Sequence, residues 1–137
     1  MVKIIIITHE NLAEGLLSAS RFIMGKQENV YAFGLFEGEG IEILKEKILP
    51  FLSFSKDENK VLFLVDLFGA TPYNVAMILY NILKKENIES AVITGVNLPM
   101  LIEVIDSRSK LDFKNFINHI LNISKESIIN GVEILDL

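Results

Sequence analysis

The sequence predicts a single α/β domain built on a mostly parallel sheet with helices on both faces. Segments with a strand pattern alternate with segments of helical period along the chain, and repeated βαβ steps of this kind build a parallel sheet. Two strand segments, residues 2–8 and 61–65, are largely aliphatic runs, which is typical of strands buried on both faces. A chain of 137 residues without repeats or linkers is expected to form one domain over residues 1–137.

The individual elements follow from this alternation. The first strand stops at His9 and the third stops at Asp66. In the next helix, Thr71 is the expected N-cap and Pro72 takes the first helical position, where its missing N–H costs nothing. The last strand follows a long helix and alternates polar with apolar residues, which indicates an antiparallel edge strand. In order, we predict strand 2–8, helix 11–25, strand 30–35, helix 40–53, a surface loop at 55–59, strand 60–66, helix 72–85, strand 91–96, helix 98–107, helix 112–128 and strand 131–136.

The expected order of the strands brings two polar side chains together. The nearly fixed hand of βαβ crossovers limits the possible topologies of such a sheet, and we expect the flavodoxin-like strand order 2-1-3-4. This order places the first and third strands side by side. Ligands of open α/β sheets bind beyond the carboxyl ends of such strands. His9 and Asp66 are therefore predicted to share one site. His119 falls beside the apolar stripe of helix 112–128, where an ordinary surface or boundary histidine is expected.

A histidine beside a carboxylate can act as a nucleophile. The carboxylate fixes the tautomer and orientation of the imidazole, which nucleophilic attack requires. The start of helix 72–85 adds an anion site, since unpaired N–H groups and the positive dipole end point outward there. Gly69 lets the backbone approach an anion such as phosphate. The simpler interpretation is that His9 and Asp66 merely cap a strand and a turn, and that Thr71 only caps a helix.

The composition of the chain argues against several other functions. The chain has no cysteine, so disulfides, thiol nucleophiles and thiolate metal sites are excluded. A net charge of −5 with 13 scattered basic residues argues against a nucleic-acid partner. The apolar runs are too short to span a membrane and no leader pattern is present, so we expect a cytoplasmic location. No cofactor is expected, although a metal held by His9, Glu10 and Asp66 stays an alternative.

Three motifs resemble one protein family over essentially the whole chain. They are residues 7–9 (Ile-Thr-His), 61–74 and 94–101, in matching order and spacing. By these motifs the chain resembles the enzyme IIA component of the mannose-type bacterial phosphotransferase system. The resemblance implies a phosphocarrier whose His9 takes a phosphoryl group from the phosphohistidine of the carrier protein HPr. The group then passes to a histidine of a IIB component during sugar uptake. The resemblance also implies a homodimer whose C-terminal strand can be exchanged between subunits.

The same resemblance assigns roles to individual residues. Asp66 orients the imidazole. Thr71, which stands where the family usually has serine, donates its hydroxyl to the phosphoryl oxygens beside the loop of Gly69 and Ala70. The rim of the site is implied to comprise Phe68, Asn97, Pro99 and Met100.

Two positions depart from the pattern of this family. Glu10 and Ala70 stand where the family usually has glycine. A carboxylate at position 10 repels phosphate unless it points away, and alanine suits the loop only if its φ is negative. Two other functions stay open, namely the phosphocarrier of a dihydroxyacetone kinase system and a regulatory module whose phosphorylation state is read by a partner.

Overall fold

The computed structural model describes residues 1–52 and 59–136 and has the predicted α/β architecture. Its four strands are all parallel and lie in the order β2-β1-β3-β4, which confirms the flavodoxin-like arrangement. The strands are β1 (Lys3–His9), β2 (Val30–Leu35), β3 (Lys60–Val65) and β4 (Glu89–Ile93). The helices are α1 (Leu12–Met24), α2 (Ile41–Ile48), α3 (Thr71–Lys85), α4 (Leu98–Ser107) and α5 (Phe113–Glu126). Most of the surface loop expected at residues 55–59 lies outside the described residues.

The sheet is buried because β1 sends alternate side chains into two separate cores. Ile4 and Ile6 belong to a core with residues of α1, α4 and α5. Ile5 and Ile7 belong to a second core with residues of α2 and α3. All four isoleucines are fully buried, and each such burial stabilises the fold by about 1.5–3 kcal/mol. The aliphatic run therefore fixes β1 between two helical layers, with its carboxyl end at the edge of the sheet.

Two elements end clearly earlier than the sequence pattern indicates. The predicted helix 40–53 begins at Ile41, leaves the α conformation at Ile48 and continues as a short 3₁₀ turn over Leu49–Phe51. Pro50 explains this end, because proline cannot donate the next helical hydrogen bond. Strand β4 ends at Ile93 rather than at residue 96, since Gly95 has a φ of +75° and turns the chain.

The edge strand expected over residues 131–136 is not formed. Glu133–Asp136 is a 3₁₀ helix instead, and local hydrogen bonds satisfy its backbone, from Ile134 N–H to the Asn130 carbonyl and from Leu135 N–H to the Val132 carbonyl. The alternating pattern failed here because a strand needs a neighbouring strand to accept its backbone hydrogen bonds.

A buried arginine links two strands at the amino-terminal edge of the sheet, opposite the edge where His9 lies. Arg108 is only 4% exposed, and its guanidinium donates to the carbonyls of Val2, Glu28 and Asn29 at 2.7–3.3 Å. Burial lowers the pKa of Arg108 below its ordinary value. These bonds join the starts of β1 and β2. Within the described part of the chain, none of the helices is long and apolar enough to cross a bilayer.

Candidate functional site

The carboxyl edge of the sheet brings His9 and Asp66 together. Strands β1 and β3 are adjacent and in register, with Ile7 opposite Val65. His9 is the last residue of β1, and Asp66 directly follows β3. The two side chains that the sequence predicted at one site therefore meet at the edge where parallel strands end.

The contact between them defines which imidazole nitrogen can react. His9 Nδ1 lies 2.8 Å from Asp66 Oδ2, and the backbone N–H of His9 donates to the same oxygen at 2.9 Å. A carboxylate oxygen can only accept, so Nδ1 carries the proton, and in the neutral ring the lone pair is on Nε2. The His9 side chain is 45% exposed, whereas Asp66 is 13% exposed. The pair thus holds a half-exposed ring whose Nε2 lies on the side away from the Asp66 carboxylate.

Thr8 and Glu10 shape the turn that carries the ring, and sequence reasoning did not assign either role. The buried Thr8 hydroxyl accepts a hydrogen bond of 2.7 Å from Ala13 N–H and so fixes the start of α1. Glu10 has a φ of +50°, in the left-handed region that favours glycine. Its N–H donates to the Leu35 carbonyl at 2.8 Å. His9 therefore sits between a strand and a sharply turned residue that is hydrogen-bonded to β2.

The end of β2 supports this turn through direct backbone contact. The Glu10 carbonyl packs on Gly34, where a Cβ would collide with that oxygen, and the Phe36 ring lies 3.0 Å from the same Cβ position. The composition gave no signal for this role, because the close approach exists only in three dimensions. Gly34 is thus required by the turn that positions His9.

A charged pair holds the Phe36 ring beside Gly34. Phe36 N–H donates to Glu39 at 2.8 Å, and Lys47 Nζ lies 2.6 Å from Glu39 and 5.2 Å from the centre of the Phe36 ring. The hydrogen bond from Lys47, followed by that from Phe36 N–H, holds the pKa of Glu39 below its ordinary value. We call Phe36, Glu39 and Lys47 the β2 brace.

Helix α3, whose start was predicted to bind an anion, begins one residue earlier than the sequence indicates. The helix begins at Thr71 with Ala70 as its N-cap, so the assignment of Thr71 as N-cap is wrong, and no side chain caps this helix. Gly69 has a φ of +82° and needs glycine, whereas Ala70 has a φ of −83° that alanine adopts without strain. The first turn of the helix leaves N–H groups without intrahelical partners. Thr71 is half-buried.

The expected rim residues differ in exposure. Phe68 is 73% exposed and packs against Tyr73 with ring centres 4.9 Å apart. Asn97 caps α4 by accepting from Met100 N–H at 3.0 Å, and Pro99 is exposed. Met100 is 4% exposed and belongs to the α1, α4 and α5 core, so its side chain cannot line a surface. The resemblance placed Met100 on the rim, but it could not show which way the first turn of α4 faces.

The segment that follows β4 reaches the same edge of the sheet through a backbone hydrogen bond. Val96 N–H donates to the Val65 carbonyl at 3.0 Å, next to Asp66. This bond brings the turn before α4 to the end of β3. His119 lies elsewhere, on α5, with its Nε2 2.6 Å from Glu103 Oε1 of α4. Residues 1–52 and 59–136 contain no group of three or more His, Asp or Glu side chains placed to hold a metal ion.

Comparison with known proteins gives consistent similarities. Residues 3–121 match the EIIA-man family model, described as the fructose IIA component of the phosphotransferase system. The chain is 39% identical over 127 residues to the fructose-specific EIIA component of Bacillus subtilis, covering 93% of this chain and 84% of that protein. It is 40% identical over 107 residues to the mannose-specific EIIAB component of Escherichia coli, covering 78% of this chain but only 32% of that longer protein.

The fold agrees with a solved structure from the same group. An EIIA component from Streptococcus agalactiae superposes with a TM-score of 0.87 and 29% identity, over 97% of this chain and 99% of the other. The similarity thus extends over nearly the whole of both chains.

Proposed function

The chain belongs to the mannose-type IIA family of the phosphotransferase system, and on that premise we propose that it carries a phosphoryl group on Nε2 of His9. The group comes from phospho-HPr and leaves to a histidine of a IIB component, so that a sugar is phosphorylated during uptake. Membership of the family supports the general role of a phosphocarrier in sugar uptake.

One observation carries the assignment to His9. Asp66 accepts from both the Nδ1–H and the backbone N–H of His9, which leaves an exposed Nε2 with its lone pair directed away from the carboxylate. In the transfer, a bond forms between Nε2 and phosphorus while the bond between phosphorus and the donor histidine nitrogen breaks. Because Nδ1 keeps its proton, the phosphorylated ring is cationic, and the Asp66 carboxylate offsets this charge. In the second transfer, a bond forms between phosphorus and the histidine nitrogen of the acceptor while the bond between phosphorus and His9 Nε2 breaks.

The start of α3 is proposed to bind the oxygens of the transferred group. Phosphoryl transfer depends mainly on in-line positioning and on donors around three equatorial oxygens. The hydroxyl of Thr71 and the backbone of Gly69 and Ala70 lie at the beginning of α3, in the loop that follows Asp66, where Ala70 N–H also donates to the Leu67 carbonyl at 3.3 Å. A helix start favours an anion through its free N–H groups and its dipole. Transfer between two histidines of similar energy needs neither metal nor nucleotide.

The surroundings of His9 suit protein partners. Leu67 and Phe68 are exposed beside Asp66, and Leu12 is exposed at the start of α1. Exposed apolar side chains around a reactive group are typical of docking surfaces. We propose that HPr and the IIB component use this face in turn, in the cytoplasm, and that neither nucleic acid nor membrane insertion is involved.

We also propose that the protein is a homodimer in solution. The segment after α5 exposes several large apolar side chains, and a second copy can cover them. They are Ile128, Ile129, Val132, Ile134 and Leu135. Light scattering on the full chain and on a form that ends at Asn130 tests this proposal. A full chain that is monomeric at micromolar concentration, or a truncated form that dimerises equally tightly, would contradict it.

Reconstituted transfer tests the phosphocarrier role. The protein is incubated with phosphoenolpyruvate, enzyme I and HPr, then mixed with a purified IIB component, and labelled phosphate on each protein is followed in time. We expect label to appear on this chain and then to move to IIB. Label that stays on this chain in the presence of IIB would instead support the regulatory module, and transfer to a nucleotide bound by dihydroxyacetone kinase would support the other alternative.

A further inference from the structure

Glu10 combines an unusual backbone conformation with an unusual place. It follows His9 directly, and its φ of +50° is one that side chains bearing a Cβ rarely adopt. Strain of this kind persists only where the surrounding structure holds it, and it concentrates at functional sites. A glycine would relieve the strain without changing the turn.

The surroundings of Glu10 do hold the conformation. Its N–H is bonded to the Leu35 carbonyl, and its own carbonyl packs on Gly34 under the Phe36 ring of the β2 brace. The backbone at position 10 is therefore fixed by β2 and not by the Glu10 side chain. The carboxylate itself is exposed, and among the described residues no cation lies within ion-pair distance of it. The chain thus keeps a free negative charge one residue away from the reacting imidazole.

We propose that Glu10 is a specificity residue that selects phosphohistidine proteins with a cationic side chain beside their own histidine, and that the donor HPr is one of them. This inference rests on the proposed function. The carboxylate repels an approaching phosphoryl group unless a positive charge on the partner offsets it. A matched cation accelerates association and a partner without one is rejected, since charge complementarity acts on encounter and on the choice of partner.

The salt dependence of transfer tests the proposal. The specificity constant kcat/KM for transfer from phospho-HPr is measured for wild type, Glu10→Gln, Glu10→Asp and Glu86→Gln. Gln keeps the shape and backbone strain of Glu10 without its charge, and Asp restores the charge. Glu86 is an exposed residue at the far end of α3, so its neutralisation is a control for net charge. Thermal melting of each variant verifies that folding is intact.

We expect Glu10→Gln to lower kcat/KM about five-fold at ~50 mM salt, with little change in kcat at saturation. The loss should shrink below about two-fold at ~1 M salt, where charges are screened within roughly 3 Å. Glu10→Asp should restore most of the rate, and Glu86→Gln should match wild type. A Glu10→Gln variant that transfers as fast as Glu86→Gln at low salt would overturn the proposal. If the wild-type protein is phosphorylated in that case, the phosphocarrier role stays intact and only the role of Glu10 is lost. If the wild-type protein takes no phosphate, the proposed function itself is wrong.

Discussion

Replacement of Gly34 by alanine is expected to disturb stability and transfer together. Gly34 lies in β2 opposite Thr8 of β1. Its new Cβ would overlap the Glu10 carbonyl oxygen and lie 3.0 Å from two carbons of the Phe36 ring. The ring can rotate, but the carbonyl belongs to a turn that Leu35 already holds through Glu10 N–H. The clash must therefore move the backbone beside His9.

The size of the effect follows from the displacement. The Glu10 oxygen has to retreat by roughly 1 Å to restore an ordinary carbon–oxygen contact. Overpacking of this kind costs about 1–3 kcal/mol of unfolding free energy, or roughly 3–12 °C in Tm for a domain of this size. Because Glu10 directly follows His9, a backbone shift of roughly 1 Å at Glu10 can displace the imidazole and lower the transfer rate about 100-fold.

Urea unfolding and transfer from phospho-HPr measure the two effects. Gly15→Ala is the matched control, since no atom lies within 4 Å of its added Cβ and the residue is exposed within α1. That variant should gain up to about 1 kcal/mol and transfer normally. If Gly34→Ala is as stable and as active as wild type, the reasoning about the turn is refuted.

The other predictions concern the site and the far edge of the sheet. Asp66→Asn should melt within a few degrees of wild type yet transfer phosphate about 100-fold or more slowly. The reason is that the amide can present its NH₂ group to Nδ1 and allow the wrong His9 tautomer. A normal transfer rate would remove Asp66 from the mechanism. Thr71→Val should slow transfer about 10-fold or more, whereas Thr71→Ser should not. Both variants should keep the wild-type free energy of unfolding, since no side chain caps α3. A Val variant that transfers as fast as wild type would disprove the donor role of the hydroxyl. Arg108→Lys should lower the free energy of unfolding in urea by about 2–4 kcal/mol, since one ammonium cannot reproduce the guanidinium fork that reaches three carbonyls. The control Arg21→Lys, at an exposed position, should change stability by less than about 0.5 kcal/mol. Equal losses in the two variants would show that the buried guanidinium is unimportant.

The sequence predicted the sheet and the meeting of His9 and Asp66 because both depend on long aliphatic runs. Such runs leave few options for burial, and the nearly fixed crossover hand then places the first and third strands together. Ala70 has a negative φ and so meets the condition under which alanine fits this loop. These features depend on local pattern and general topology, which a sequence carries.

The remaining features depend on contacts between distant segments. The need for Gly34 arises from the approach of the Glu10 carbonyl, and the burial of Met100 depends on how α4 packs against its neighbours. The 3₁₀ helix at Glu133–Asp136 replaced an expected strand because alternation of polar and apolar residues does not provide a pairing partner. The one-residue error at Thr71 reflects how weakly sequence defines helix ends.

The position of the phosphoryl group on the imidazole tests the central claim most directly. The protein is labelled with ¹⁵N at histidine, phosphorylated with phosphoenolpyruvate, enzyme I and HPr, and examined by ¹⁵N and ³¹P NMR alongside His9→Gln and His119→Gln. The account predicts one phosphoryl group on Nε2 of His9, absent from the His9 variant and retained in the His119 variant. Phosphate on Nδ1 of His9, on His119 or on no histidine would contradict it.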